Sequence, residues 1–319
     1  MMSIPDPRLR SALAAIRRDR LAVFMYVVVA TPLAAALISA DRLWAVVALP
    51  PAIFGPWGIV ASSAMLRLAC IGTGFSDQVV VSEAARLRVL TGASPYGVGY
   101  QESIPPGSPF PYGPLALVDS VPLELVASIG LLLLLAWSRR PITLALYAGL
   151  PFSIVLASAG NNDYVPALLL ATGLLWLPSR GGGALIALSA VWKPYTVVFV
   201  PVALAAGSMA AFLVSVAVLC IGWLPAVLWG GFMESLAMLN AGQAASPLRY
   251  LAGPVSLTAL RWGTPAACLA FALLTMTSES WSLSYVIPLG IALGIALEPA
   301  FRPLESVATS QSPITPESR

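Results

Sequence analysis

The chain has 319 residues, of which 58% are hydrophobic and 10% charged, with a net charge of +3 and a mean hydropathy of +0.86. A soluble domain is about half apolar and about a quarter charged, so this composition excludes a globule that water alone could solvate. Histidine is absent, which excludes a Ser-His-Asp triad, a histidine base and any histidine-ligated metal; the scattered basic residues form no continuous face of the kind nucleic acid requires.

Five arginines lie between Arg8 and Arg20, so residues 1–20 read as a basic cytoplasmic N-terminus. The apolar stretch after them is long enough to span and reads as a retained anchor. A spanning helix needs ~20 mostly apolar residues. Leu21–Ala40 qualifies, and Leu43–Gly72 is apolar but broken by Pro50-Pro51 and Pro56 and carries Arg67. Gly113–Trp137, Ile142–Ala159, Tyr164–Leu177, Ala184–Ala206 and Ala210–Gly230 follow, and Leu251–Leu297 holds two or three more. The expected fold is an all-α integral membrane bundle of about eight to ten transmembrane helices over residues 21–297. The tail, 298–319, is rich in Pro, Ser and Thr and is expected to be disordered. Cys70, Cys220 and Cys268 stand far apart in apolar sequence and read as small buried hydrophobes.

Two polar stretches interrupt the apolar rhythm, 72–112 and the shorter 234–249. Arg139-Arg140 and Arg180 mark cytoplasmic turns. Gly113–Trp137 then runs inward and the 72–112 loop lies outside. That requires an odd number of crossings before Gly72, met either by one crossing plus a re-entrant hairpin or by three short crossings.

Within the outer loop, Ser76 is a helix N-cap, Asp77 sits in the first turn and Gly92 is a fitting stop. Val80, Ala84, Leu87 and Thr91 share a face, giving a short amphipathic helix suited to the membrane surface. A carboxylate at the helix start is favoured by the helix dipole; Asp77 reads either as a functional carboxylate or as an extra cap. Beyond it, Pro95-Tyr96 and the Pro105–Leu115 segment are proline-dense, extended and stiff, and hold Tyr96 and Tyr112. An interfacial aromatic belt explains the tyrosines but not the prolines around them.

The order is an acidic residue at a membrane exit, an amphipathic helix, a Gly-x-x-Pro-Tyr turn (Gly92 to Tyr96) and a Pro-Phe-Pro-Tyr-Gly-Pro-Leu re-entry (Pro109 to Leu115). It resembles polytopic GT-C type glycosyltransferases, particularly glycosyltransferase family 87 and related mannosyltransferase-like proteins. The resemblance is sharpest over Ser76–Leu115. It implies transfer of a sugar, a mannose-like hexose, from a polyprenyl-phosphate carrier to a lipid or glycan acceptor. Transfer would be inverting and extracytoplasmic, with the first-loop acidic residue, here Asp77, as general base. Membrane lipids and these two substrates are the partners expected; no cofactor and no metal are assigned.

The chemistry needs a base for the acceptor hydroxyl and a cation for the phosphate, and a single carboxylate suffices for inversion. Asp77 is the base candidate, with Glu83 and Glu102 in reserve against a reading as solvated surface carboxylates. Lys193, the only lysine, sits in Trp192-Lys193-Pro194-Tyr195 inside an apolar stretch. An ionisable group at that depth costs about 2.5–3.5 kcal/mol and mostly faces a cavity or partner, so Lys193 is the carrier-phosphate candidate; the alternative is a snorkelling lysine. Arg249, beside Tyr250, is a second cationic contact. Asp163, in Gly160-Asn161-Asn162-Asp163-Tyr164, is a sugar-binding candidate or simply an Asx-type turn. Arg67 reads as a membrane-boundary charge. The rival readings are a lipid or solute transporter and a non-catalytic membrane subunit.

Overall fold

The computed structural model describes residues 7–40, 42–240, 251–276 and 283–298. They form fourteen α-helices, several short 3-10 turns and one two-residue hairpin pairing Gly99–Tyr100 with Ser108–Pro109. The chain is thus all-α. By length and composition, residues 12–39 and 209–229 can cross a membrane, and 141–159 forms a third candidate bent by 64°.

α1 (Pro7–Ser39) is the longest helix. After it the chain descends through two 3-10 helices, Leu43–Ala48 and Pro50–Phe54, and returns as α2 (Pro56–Ala69). Prolines at the start of each returning segment set the breaks. Arg42 Nη1 donates to Ala69 O at 3.1 Å, so the descent begins and the return ends at the same level. α2 has 14 residues, about 21 Å at the helical rise, short of the ~30 Å of hydrocarbon. The two 3-10 helices and α2 pack against each other and against α1.

α3 (Asp77–Leu90) starts where expected: Ser76 Oγ accepts from Gln78 N, and Gly92 turns the chain at φ 81°. Its buried side carries Val81, Ser82 and Ala85, whereas Leu87 is 56% exposed. The Val80–Ala84–Leu87–Thr91 face read as suited to the membrane surface is thus a different one from the side buried against the protein. Ser82 lies on that inward side because α3 packs on the 3-10 turn Pro114–Val118, not on a purely apolar wall.

The body continues with α4 (Val121–Trp137), α5 (Pro141–Gly149), α6 (Pro151–Ala159), α7 (Tyr164–Trp176), α8 (Arg180–Trp192) and α9 (Val200–Ala205). The stretch expected as one span over 142–159 is broken at Leu150-Pro151, where Pro151 supplies no N–H to α5. α8 ends at Trp192 because Lys193, preceding Pro194, is extended (φ −124°, ψ 108°). α10 (Met209–Trp229), α11 (Phe232–Asn240), α12 (Ala252–Trp262), α13 (Thr264–Met276) and α14 (Val286–Leu297) complete the chain. The lipid-like exposure of Ile221, Val227 and Leu228 on α10, all above 70%, fits a helix facing hydrocarbon.

Two ends of this body differ. At one, Arg18 pairs with Glu298 at 2.6 Å. Glu298 also accepts from Ile142 N, Thr143 N and Thr143 Oγ1, capping α5, while Arg140 binds the Ile295 and Glu298 carbonyls. Glu298, placed in the tail by sequence, is instead a clasp between α14, α1 and α5; residues 299–319 lie outside the described residues. Replacing Glu298 by alanine removes the acceptor of four donors and is expected to cost about 1–3 kcal/mol, read as a lowered Tm in lipid nanodiscs. The other end carries the polar cluster.

Candidate functional site

Four separate segments meet at that end. Asp77 opens α3; Tyr112-Gly113 leads into the Pro114–Val118 turn; Asn161–Asp163 joins α6 to α7; Lys193 ends α8. Gly113 N donates to Trp192 O at 3.0 Å, and a Cβ at Gly113 would sit 1.8 Å from Val191 O. Only glycine lets the loop lie this close to α8. Substituting Gly113 by alanine is therefore expected to lift the loop off α8 and raise proteolytic cleavage in 99–113 several-fold.

The close approach places Lys193 Nζ 4.7 Å from the Tyr112 ring centroid, with the Tyr195 and Tyr285 rings at 5.6 and 5.7 Å. A cation over aromatic faces is stabilised by their quadrupoles, more so when desolvated. Its counterion is Asp163: Nζ to Oδ1 is 2.7 Å, with both side chains 1% exposed. Asp163 does not cap α7, although it occupies the N-cap position. Glu124, one turn into α4, caps that helix by accepting from Tyr164 N (2.8 Å) and Val165 N (3.1 Å) through Oε2. The remote cap leaves the Asp163 carboxylate available to Lys193, so the turn-geometry reading of Asp163 gives way to an ion pair.

Asp77 lies at the edge of the same cluster and is part-exposed. Its Oδ2 accepts from Ile104 N at 2.7 Å, tying the hairpin loop to the start of α3. Neighbouring Gln78 accepts from Asn162 N through Oε1 at 3.1 Å, docking α3 on the α6–α7 turn. Desolvation first, then the Tyr285 hydroxyl and the carboxylates of Asp163, Asp77 and Asp119, hold the Tyr112 phenol well above its ordinary pKa. Tyr112 thus remains a hydroxyl, with these acids around it.

The other sequence candidates fall elsewhere. Tyr96 is 2% exposed, packed against Phe110, Trp229 and Phe232, and its hydroxyl donates to Tyr112 O at 3.2 Å. It supports the Tyr112 segment and presents no free face. Glu83 is exposed and 3.8 Å from Arg86, and Glu102 is exposed; neither joins the cluster, since both project from the solvent side of their segments. Arg249 and Tyr250 lie outside the described residues. Lys193 is engaged by Asp163, so a phosphate reaching it must displace that carboxylate.

Two acidic residues escaped the sequence reading, and a third residue, Arg67, was read without its partners. Glu124 lies inside an apolar span, Asp119 just before it, and both are buried. Arg67 is 0% exposed and donates to Ser128 Oγ (2.6 Å), Ser153 Oγ (3.0 Å) and Ser63 Oγ, with the Tyr147 ring 5.0 Å from its guanidinium carbon. The signal available was polar residues set singly into apolar runs, which in a bilayer must find one another. A cavity of about 180 Å3, lined by Tyr147, Ser153 and Gly290 among others, lies between α5, α6 and α14; Asp77 does not line it. Among the described residues no group of three acidic or cysteine side chains is arranged to hold a metal.

No family model, no curated protein and no solved structure matches this chain.

Proposed function

We propose that this chain is a membrane glycosyltransferase of the GT-C kind. It would move a mannose-like hexose from a polyprenyl-phosphate carrier to a lipid or glycan acceptor outside the cytoplasm. The observation that carries the reading is the meeting of Asp77, Tyr112, Asp163 and Lys193, drawn from four distant segments, at the end of the body opposite Arg18, Arg139 and Arg140. Positive charge marks the cytoplasmic end, so the cluster faces outward. A body of about eight to ten membrane-embedded segments fits the apolar helices seen.

In the proposed step the acceptor oxygen attacks the anomeric carbon, its proton passes to the Asp77 carboxylate, and the carbon–oxygen bond to the carrier phosphate breaks with its electron pair leaving on phosphate. Asp77 suits the base because, of the cluster's carboxylates, it alone is part-exposed. Lys193 stabilises the departing phosphate once Asp163 yields to it, and the Lys193–Asp163 contact is then a gate that donor binding opens.

A transporter is the second reading, favoured by the burial of Arg67, Asp119, Glu124, Asp163 and Lys193 within an apolar body. The deciding experiment supplies labelled polyprenyl-phosphate sugars, mannose first, to proteoliposomes holding the chain and a glycan or lipid acceptor. Label appearing covalently on acceptor supports the transferase. Label crossing the bilayer unchanged supports the transporter. Neither event with any donor argues for a non-catalytic subunit.

A further inference from the structure

The cavity of about 180 Å3 between α5, α6 and α14 has no part in the proposed reaction. Its walls are mainly apolar, with Leu146, Leu150, Phe152, Ile287 and Ile291 among them. Three polar side chains also line it, and each already has a partner. Thr143 Oγ1 donates to Glu298 Oε2 at 2.7 Å, the Tyr147 hydroxyl to Ser128 O at 3.1 Å, and Ser153 Oγ to Tyr147 O at 2.8 Å. A buried water needs roughly two to four polar partners, whereas an apolar cavity of about 150 Å3 stays dry and takes up benzene. The space therefore suits hydrocarbon.

Its shape follows from two glycines on α14. At Gly294 the helices touch: a Cβ there would lie 2.4 Å from Thr143 Cγ2. One turn back, a Cβ at Gly290 would meet nothing within 4 Å. The missing side chain at Gly290 leaves the space open. Gly290 is exposed, and so is Leu146 on α5, so the cavity opens sideways between the two helices. In a chain solvated by lipid that opening faces hydrocarbon.

The closed end meets the arginines. Arg140 Nη1 reaches Gly294 O at 3.5 Å and also binds the Glu298 carbonyl, while Arg18 holds the Glu298 carboxylate. Arg140 is 7% exposed, and its Nε has no acceptor. Arg17, Arg20 and Arg139, close to these two in the chain, are exposed. Among these residues five arginines meet two acids, Asp19 and Glu298. Such an excess of positive charge beside membrane helices draws anionic lipid headgroups.

We propose that the cavity binds one acyl chain of an anionic phospholipid from the leaflet at the arginine end. The phosphate lies by Arg18, Arg139 and Arg140. The chain passes the Gly294–Thr143 contact and enters beside Gly290, about 6 Å further along α14. The bound lipid straddles the Glu298 clasp and holds α14 to α5. The carrier of the proposed reaction has its phosphate at the opposite end, so its tail is not the occupant. The site stands whether or not the chain transfers sugar.

The test is native mass spectrometry of the full chain in mild detergent with phosphatidylglycerol, phosphatidylcholine or polyprenyl phosphate, each offered alone at the same molar ratio. The wild type is expected to retain one phosphatidylglycerol, and to retain phosphatidylcholine several-fold less. Gly290→Leu puts a side chain into the open space and a better helix former on α14. It should lose most of the retained phosphatidylglycerol, with an unchanged or higher Tm. Leu146→Trp narrows the same opening from α5 and should act alike. Arg139→Gln should narrow the preference over phosphatidylcholine without closing the cavity. Added phosphatidylglycerol should raise the Tm of the wild type and not that of Gly290→Leu. Equal retention of phosphatidylglycerol by the wild type and both cavity variants would overturn the proposal, as would equal retention of the two phospholipids by the wild type. A loss in Gly290→Leu seen with polyprenyl phosphate and not with phosphatidylglycerol would overturn it too, assigning the cavity to the carrier.

Discussion

Lys193→Met is expected to destabilise the chain by about 3–5 kcal/mol, the cost of leaving a buried ion pair half-broken. The partner left behind is Asp163, 1% exposed, with Lys193 Nζ as its 2.7 Å contact. The Tyr112, Tyr195 and Tyr285 rings present their faces to the missing cation, and they offer a carboxylate nothing. The magnitude rests on desolvation more than on attraction, which the double variant separates. Lys193→Met with Asp163→Asn removes both charges and is expected to recover most of the loss, because neutral groups of similar size replace buried pairs at little cost. Denaturation in nanodiscs reads all three proteins. If the single and double variants are equally unstable, packing of the lysine stem is what matters and the ion pair contributes little.

Asp77 carries the second large effect, and there it should fall on rate with stability preserved. Removing a general base typically costs about 10²- to 10⁴-fold, so Asp77→Asn is expected to reduce sugar transfer by that range. Asparagine keeps an oxygen that can accept from Ile104 N, the 2.7 Å contact that docks the 101–107 loop; the loop should stay in place and the Tm should barely move. Asp77→Ala removes both the base and the dock and should lose rate and loop order together. Equal transfer by wild type and Asp77→Asn, with transfer lost in Asp77→Ala, would make the residue a loop anchor only.

The sequence made the punctuation of this chain readable, because proline and glycine act locally. Ser76 and Gly92 bound α3 as capping chemistry requires, and Pro194 ends α8 at Lys193. Pro151 had the same meaning and was passed over, since the apolar run on both sides reads as one span. What could not be read was partnership. Nothing local says that Asp163 faces Lys193, thirty residues on, or that Glu124 caps a helix forty residues away. Nor does anything local to Arg67 name its three serines, which come from α2, α4 and α6. Periodicity marked an apolar face on α3 but could not say that Gln78, a polar residue off that face, docks on the α6–α7 turn.

The most direct test of the account is transfer of labelled mannose from polyprenyl-phosphate mannose by the reconstituted chain, wild type beside Asp77→Asn, with folding checked by Tm in the same preparations. The account predicts labelled acceptor from the wild type and a fall of at least about a hundredfold in the variant at unchanged Tm. Equal label on acceptor in both proteins would contradict it.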